Sequence, residues 1–75
     1  MFDGFRANVK EELKKRQWNY AKLCEQAHIS ENTIKYFMCG ASDSRRVAEK
    51  IADALGCGLK YREGFYDLEI NTNAT

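Results

Sequence analysis

The chain has 75 residues, 31% of them charged and 44% hydrophobic, with no proline and a formal net charge of +1. A chain this short makes one domain that buries only about 60% of its unfolded surface, and this composition is globular rather than disordered. Three cysteines and one histidine stand in no zinc-ligand spacing, no apolar run approaches the ~20 residues of a membrane span, and residues 1–20 lack a signal-peptide core.

The reading from composition is therefore a chain without metal, cofactor or membrane association. Its free thiols suit a reducing cytoplasm. Charge is unevenly spread. Residues 1–60 carry 11 Lys and Arg against 8 Asp and Glu, while residues 61–75 carry one against three. The main body is mildly basic and the tail acidic.

The first predicted helix covers residues 4–16. Phe5, Val9 and Leu13 recur at i, i+4 and i+8, one face of a 3.6-residue period. Lys14, Lys15 and Arg16 read as its solvated face, and Trp18 as packing at its exit. A second helix is expected over residues 20–27, capped by Asn19, whose side chain accepts from an orphan backbone N–H. Leu23, Cys24 and Ala27 form its apolar stripe. Three residues follow, His28, Ile29 and Ser30, enough only for a tight turn.

Ser30 is again a capping residue. A third helix is expected from Glu31 to about Met38, burying Ile34, Phe37 and Met38. Glu31 in its first turn suits the positive end of the helix dipole. Gly40 supplies the left-handed conformation that closes it. After a polar loop at residues 41–44, Asp43 or Ser44 caps a fourth helix that reaches Leu55, with Val47, Ile51 and Leu55 in register and Gly56 as its stop. Ile29 and Leu23 join the same predicted core.

From Gly58 the pattern changes. Leu59, Tyr61, Phe65, Tyr66, Leu68 and Ile70 are strand-prone and flank Glu63-Gly64, which reads as a short hairpin or extended segment, with a short fifth helix as the alternative. Residues 71–75 read as a frayed tail. The fold class is all-α, with four or five helices and a possible short β element at the end.

The informative unit runs from residue 19 to residue 40: cap, short helix, three-residue turn, cap, second helix, glycine. Such a turn makes consecutive helices cross steeply. At these residues the chain resembles the phage repressor/Cro (Xre-type) helix-turn-helix family. The resemblance lies in Trp18-Asn19, Leu23-Cys24, His28-Ile29-Ser30, Thr33-Ile34 and Gly40, followed by Ala54-Leu55-Gly56, and covers roughly residues 5–57. The chain departs from the family pattern at Tyr20, where glutamine is frequent, and at His28, where the turn has glycine.

The resemblance implies a lambda-repressor-like domain at residues 1–58 that binds double-stranded DNA in a sequence-specific way. The recognition helix, residues 31–38, would lie in the major groove. Base reading would fall to Glu31, Asn32, Thr33, Lys35 and Tyr36. Asparagine makes bidentate contacts to adenine, glutamate accepts from cytosine N4, a threonine methyl meets a thymine methyl, and lysine donates to guanine or phosphate. Glu31 would act mainly by excluding wrong bases. Phosphate contacts would come from Tyr20, Lys22, Ser42, Ser44, Arg45 and Arg46, which set register rather than read sequence.

Residues 59–70 either cover the helical core or bury Tyr61, Phe65 and Tyr66 against a second subunit, with a homodimer favoured. The expected role is a small repressor or Cro-like transcriptional regulator. Two alternatives stand beside it: an excisionase- or antitoxin-like DNA-binding protein, and a protein-interaction module of this fold that does not bind DNA. Nothing resembles a nucleophile–base constellation or a glycine-rich phosphate loop, so no enzyme is expected.

Overall fold

The computed structural model describes residues 1–69; Ile70 and the predicted frayed tail at residues 71–75 lie outside the described residues. Four helices, α1 (Asp3–Arg16), α2 (Tyr20–Ala27), α3 (Glu31–Met38) and α4 (Arg45–Ala54), are followed by strands β1 (Gly58–Arg62) and β2 (Phe65–Glu69). The strands form an antiparallel hairpin in which Leu59 faces Leu68 and Tyr61 faces Tyr66. The choice between a hairpin and a fifth helix is thus resolved in favour of the hairpin.

The local reason is the turn. Glu63 and Gly64 both take positive φ, 51° and 85°, as a two-residue hairpin connection with the right twist requires. The long-range reason is burial. Leu68 is buried in the common core, and Leu59 and Tyr66 pack against it half-buried. A two-stranded hairpin is marginal alone and needs such a partner.

The core joins every helix. Phe5, Val9 and Leu13 from α1 meet Leu23 from α2, Ile34, Phe37 and Met38 from α3, and Val47, Ala48, Ile51 and Ala52 from α4. Phe2, which the sequence periodicity did not include, is buried with them. Its ring stacks on Tyr66 at 4.6 Å and meets Phe37 edge-on at 5.3 Å. The backbone of Met1 also accepts a hydrogen bond from the amide of Tyr66 at 2.9 Å. Phe2 therefore seats the hairpin against α3. Ile29, expected in the core, is half-buried at its margin, because it sits in the exposed turn between α2 and α3.

Arg16 is exposed, as expected of a solvated face, and also binds within the fold. It donates to the carbonyl of Leu55 at 2.7 Å and lies 3.6 Å from Glu12. A cation thereby satisfies a carbonyl at the end of α4 that no helical N–H reaches.

Candidate nucleic-acid interface

Three consecutive helices begin in the same way. Asn19 accepts from the amide of Lys22, Ser30 from that of Thr33, and Ser44 from that of Val47, each in an extended backbone conformation. The fourth-helix cap is thus Ser44 rather than Asp43. Between α2 and α3, His28 takes φ 58° and ψ 40°, and its amide bonds back to the carbonyl of Cys24. This left-handed residue ends α2 and lets α3 start three residues later. Histidine adopts that conformation more readily than most side chains, though less readily than glycine.

The opening of α3 faces solvent. Glu31, Asn32, Lys35 and Tyr36 are exposed, and Tyr36 keeps 63% of its surface. Asn32, Lys35 and Tyr36, with Cys39, line one shallow surface hollow of about 310 Å³. Lys35 lies 3.9 Å from Glu31. A surface pair of this kind contributes only about 0.2–0.5 kcal/mol, so both side chains are readily released to an incoming ligand. Thr33 stands apart from this group. It is half-buried, and its hydroxyl is 2.7 Å from that of Ser30, so the cap engages its polar atom and leaves the methyl as its remaining contact.

The residues expected at phosphates occupy two places. Tyr20 and Lys22 lie in the first turn of α2. Tyr20 is half-buried against the core, while Lys22 is exposed with its ammonium 5.9 Å from the ring of Trp18. The others follow α3. Ser42 and Ser44 are half-buried in the loop, and Arg45 and Arg46 are exposed at the start of α4. The Ser44 hydroxyl accepts the Val47 amide at 3.3 Å, which leaves its own proton free to donate. Arg45 pairs with Glu49 at 3.2 Å, another surface pair of small worth.

Cys24 on α2 lies behind this surface. Burial pushes its thiol above the ordinary range, and the Glu31 carboxylate adds to the shift. The neutral thiol is thus favoured beside α3, where it packs as a small apolar residue does. Among the described residues there is no cluster of His, Cys, Asp or Glu fit for a metal ion, and no helix long and apolar enough to cross a membrane.

Sequence reasoning missed Arg6. Its side chain is 10% exposed, and it reaches from α1 to the end of α3 and the following loop. Nε donates to the carbonyl of Phe37 at 2.6 Å, and Nη2 to the carbonyl of Ser42 and the carboxylate of Asp43, both at 2.8 Å. Its guanidinium also lies 4.8 Å from the Phe37 ring centroid. The signal was present in the periodicity. Phe5, Val9 and Leu13 define an apolar face whose edge lies next to position 6, so a charge there needed buried partners.

In a comparison with protein families, the model described as the Cro/C1-type HTH DNA-binding domain matches residues 8–60. Neither the search of curated proteins nor that of solved structures returned a match.

Proposed function

The chain belongs to the Cro/C1-type HTH DNA-binding family, and we propose that it is a small transcriptional regulator that reads a specific sequence in the major groove with α3. Family membership implies DNA binding. The observation that carries the finer reading is the exposed face of α3: Asn32, Lys35 and Tyr36 share one hollow, and none has its polar end buried in the fold. A major groove about 12 Å wide admits one helix. An asparagine in its first turn and a lysine one turn further on are placed to meet adenine and guanine edges, while Glu31 penalises bases that offer it no donor. Thr33 adds a methyl contact. Tyr20, Lys22, Ser42, Ser44, Arg45 and Arg46 bind phosphates on either side and fix the register.

A single short helix offers few base contacts, which favours two copies on an inverted repeat spaced by about 34–36 Å. The hairpin supports such a homodimer. Tyr66 is committed to the core through Phe2, but Tyr61 and Phe65 stay 62% and 65% exposed. Among the described residues β1 pairs only with β2, so its outer edge is open to a second copy. Because Leu68 and Tyr66 help close the core, single changes at Tyr61 and Phe65 test the dimer more cleanly than removal of the hairpin.

Site selection from a random duplex library tests the reading. An enriched inverted repeat is expected, with affinity falling by about 10³–10⁵ between 50 and 200 mM salt if roughly 6–10 phosphates are contacted. A single unrepeated motif would keep the regulator and remove the dimer. No enrichment at low salt, from protein shown to be folded, would favour an interaction module over a DNA reader.

A further inference from the structure

We propose that Arg6 is a positioning residue for DNA binding, holding the segment of residues 42–46 in the conformation that meets phosphates. The inference rests on the DNA-binding reading above and extends it to a side chain that itself faces inward. One guanidinium ties together three points that are far apart in sequence: the α1 backbone that carries it, the last turn of α3, and the loop before α4. The Phe37 carbonyl near the end of α3 accepts the Gly40 amide at 3.1 Å and offers its second lone pair to Arg6. Arg6 thereby brings a positive charge to the negative end of the recognition helix.

The loop is held by few other bonds. The amide of Gly40 returns to Phe37 and that of Ala41 to Tyr36, while the Ser44 hydroxyl is fixed by the Val47 amide. At residues 42 and 43, Arg6 supplies the hydrogen bonds to the rest of the fold, to the Ser42 carbonyl and the Asp43 carboxylate. The same stretch presents Ser42 and Ser44 and leads directly into Arg45 and Arg46. A planar guanidinium with donors in fixed directions suits this task. An ammonium on a lysine keeps the charge but cannot hold all three acceptors in one geometry.

Asp43 provides the sharper test because two effects oppose each other there. Removing an acidic charge beside phosphates strengthens DNA binding by simple electrostatics. If instead Asp43 serves to anchor the loop to Arg6, Asp43→Asn weakens binding. The experiment measures wild type, Arg6→Lys and Asp43→Asn on the selected duplex, over a salt series, at a temperature where thermal melts show all three folded. Amide exchange of residues 40–44 in the free proteins is measured alongside.

Arg6→Lys is expected to weaken binding about ten-fold, the order of one missing charge-assisted hydrogen bond. Its salt slope should fall by about 1 for each phosphate the loop no longer reaches. Asp43→Asn is expected to weaken binding several-fold, and both variants should exchange faster at residues 40–44 while α2 and the first turn of α3 keep wild-type protection. Unchanged or tighter binding by Asp43→Asn, or unchanged loop exchange in both variants, would overturn the proposal while leaving the DNA-binding reading intact. Altered loop exchange with no duplex bound by any of the three proteins, wild type included, would overturn the functional role and the DNA-binding reading together.

Discussion

The α2–turn–α3 unit and the α1–hairpin unit are built by opposite strategies. In the first, the structure is written locally. Asn19 and Ser30 cap their helices by accepting amides three residues ahead, His28 reverses the backbone, and Gly40 takes φ 91° at the exit. In the second, the bonds join the two ends of the chain. Phe2 stacks on Tyr66, Met1 accepts from the Tyr66 amide, and Asn8 donates to Asp67 across 59 residues. The difference shows how a small domain leaves one helix face exposed. The local unit keeps its outer face clear because its geometry is fixed by caps and a turn, while its inner face, Leu23, Ile34, Phe37 and Met38, joins the core that α1, α4 and the hairpin complete.

The largest effect that sharpens this contrast is expected at Phe2. Phe2→Ala removes a ring packed against Phe5, Phe37 and Tyr66 and should cost about 3–5 kcal/mol. That is most of the stability of a domain whose total is on the order of 5 kcal/mol. Thermal unfolding followed by circular dichroism should show a steep loss of midpoint, with hairpin amides losing exchange protection first. A small loss would mean that the hairpin is only loosely attached.

Asn32→Ala should do the reverse. Its side chain is exposed on the outer face of α3, so stability should stay within about 0.5 kcal/mol of wild type. Affinity for the selected duplex should drop by about 1–3 kcal/mol and discrimination should relax at one base position. Ser30→Ala lies between the two. Loss of the cap that holds the Thr33 amide and hydroxyl should cost about 1 kcal/mol of stability, and a larger loss in affinity than in stability would show that the cap also orients the reading face.

The smallest effect concerns the thiols. Cys39 is exposed and Cys24 half-buried with its ionisation pushed up. Alkylation should therefore reach Cys39 first, and Cys24 should react slowly until the pH rises well into the alkaline range. The linked stability has a definite sign. The fold favours the neutral Cys24 thiol, so its contribution is complete below the thiol's unfolded value and is lost as pH rises through the higher folded value. Fast labelling of Cys24 at neutral pH would show that α2 opens away from the core.

The same division governs what the sequence revealed. The caps, the three-residue turn and the closing glycine act over three or four positions, so Asn19, Ser30, His28 and Gly40 were legible one by one. The apolar faces of α3 and α4 were legible because their period is regular. The hairpin was legible only as one of two options, since its stability depends on Leu68 and Tyr66 meeting α1 and Phe2. Arg6 illustrates the limit most clearly. No local rule assigns a guanidinium partners 31, 36 and 37 residues away, and only the folded chain brings them together. The proposed reading residues were legible as exposed positions of a capped helix, except that Thr33 has its hydroxyl drawn into the Ser30 cap.

The exposed opening of α3 is proposed as the surface that meets DNA, and amide chemical-shift mapping on addition of the selected duplex checks it. Large perturbations are expected at residues 31–36, with a second set at residues 20–22 and 42–46. Perturbations that leave residues 31–36 silent and fall instead on α1 or the faces of α4 would contradict it.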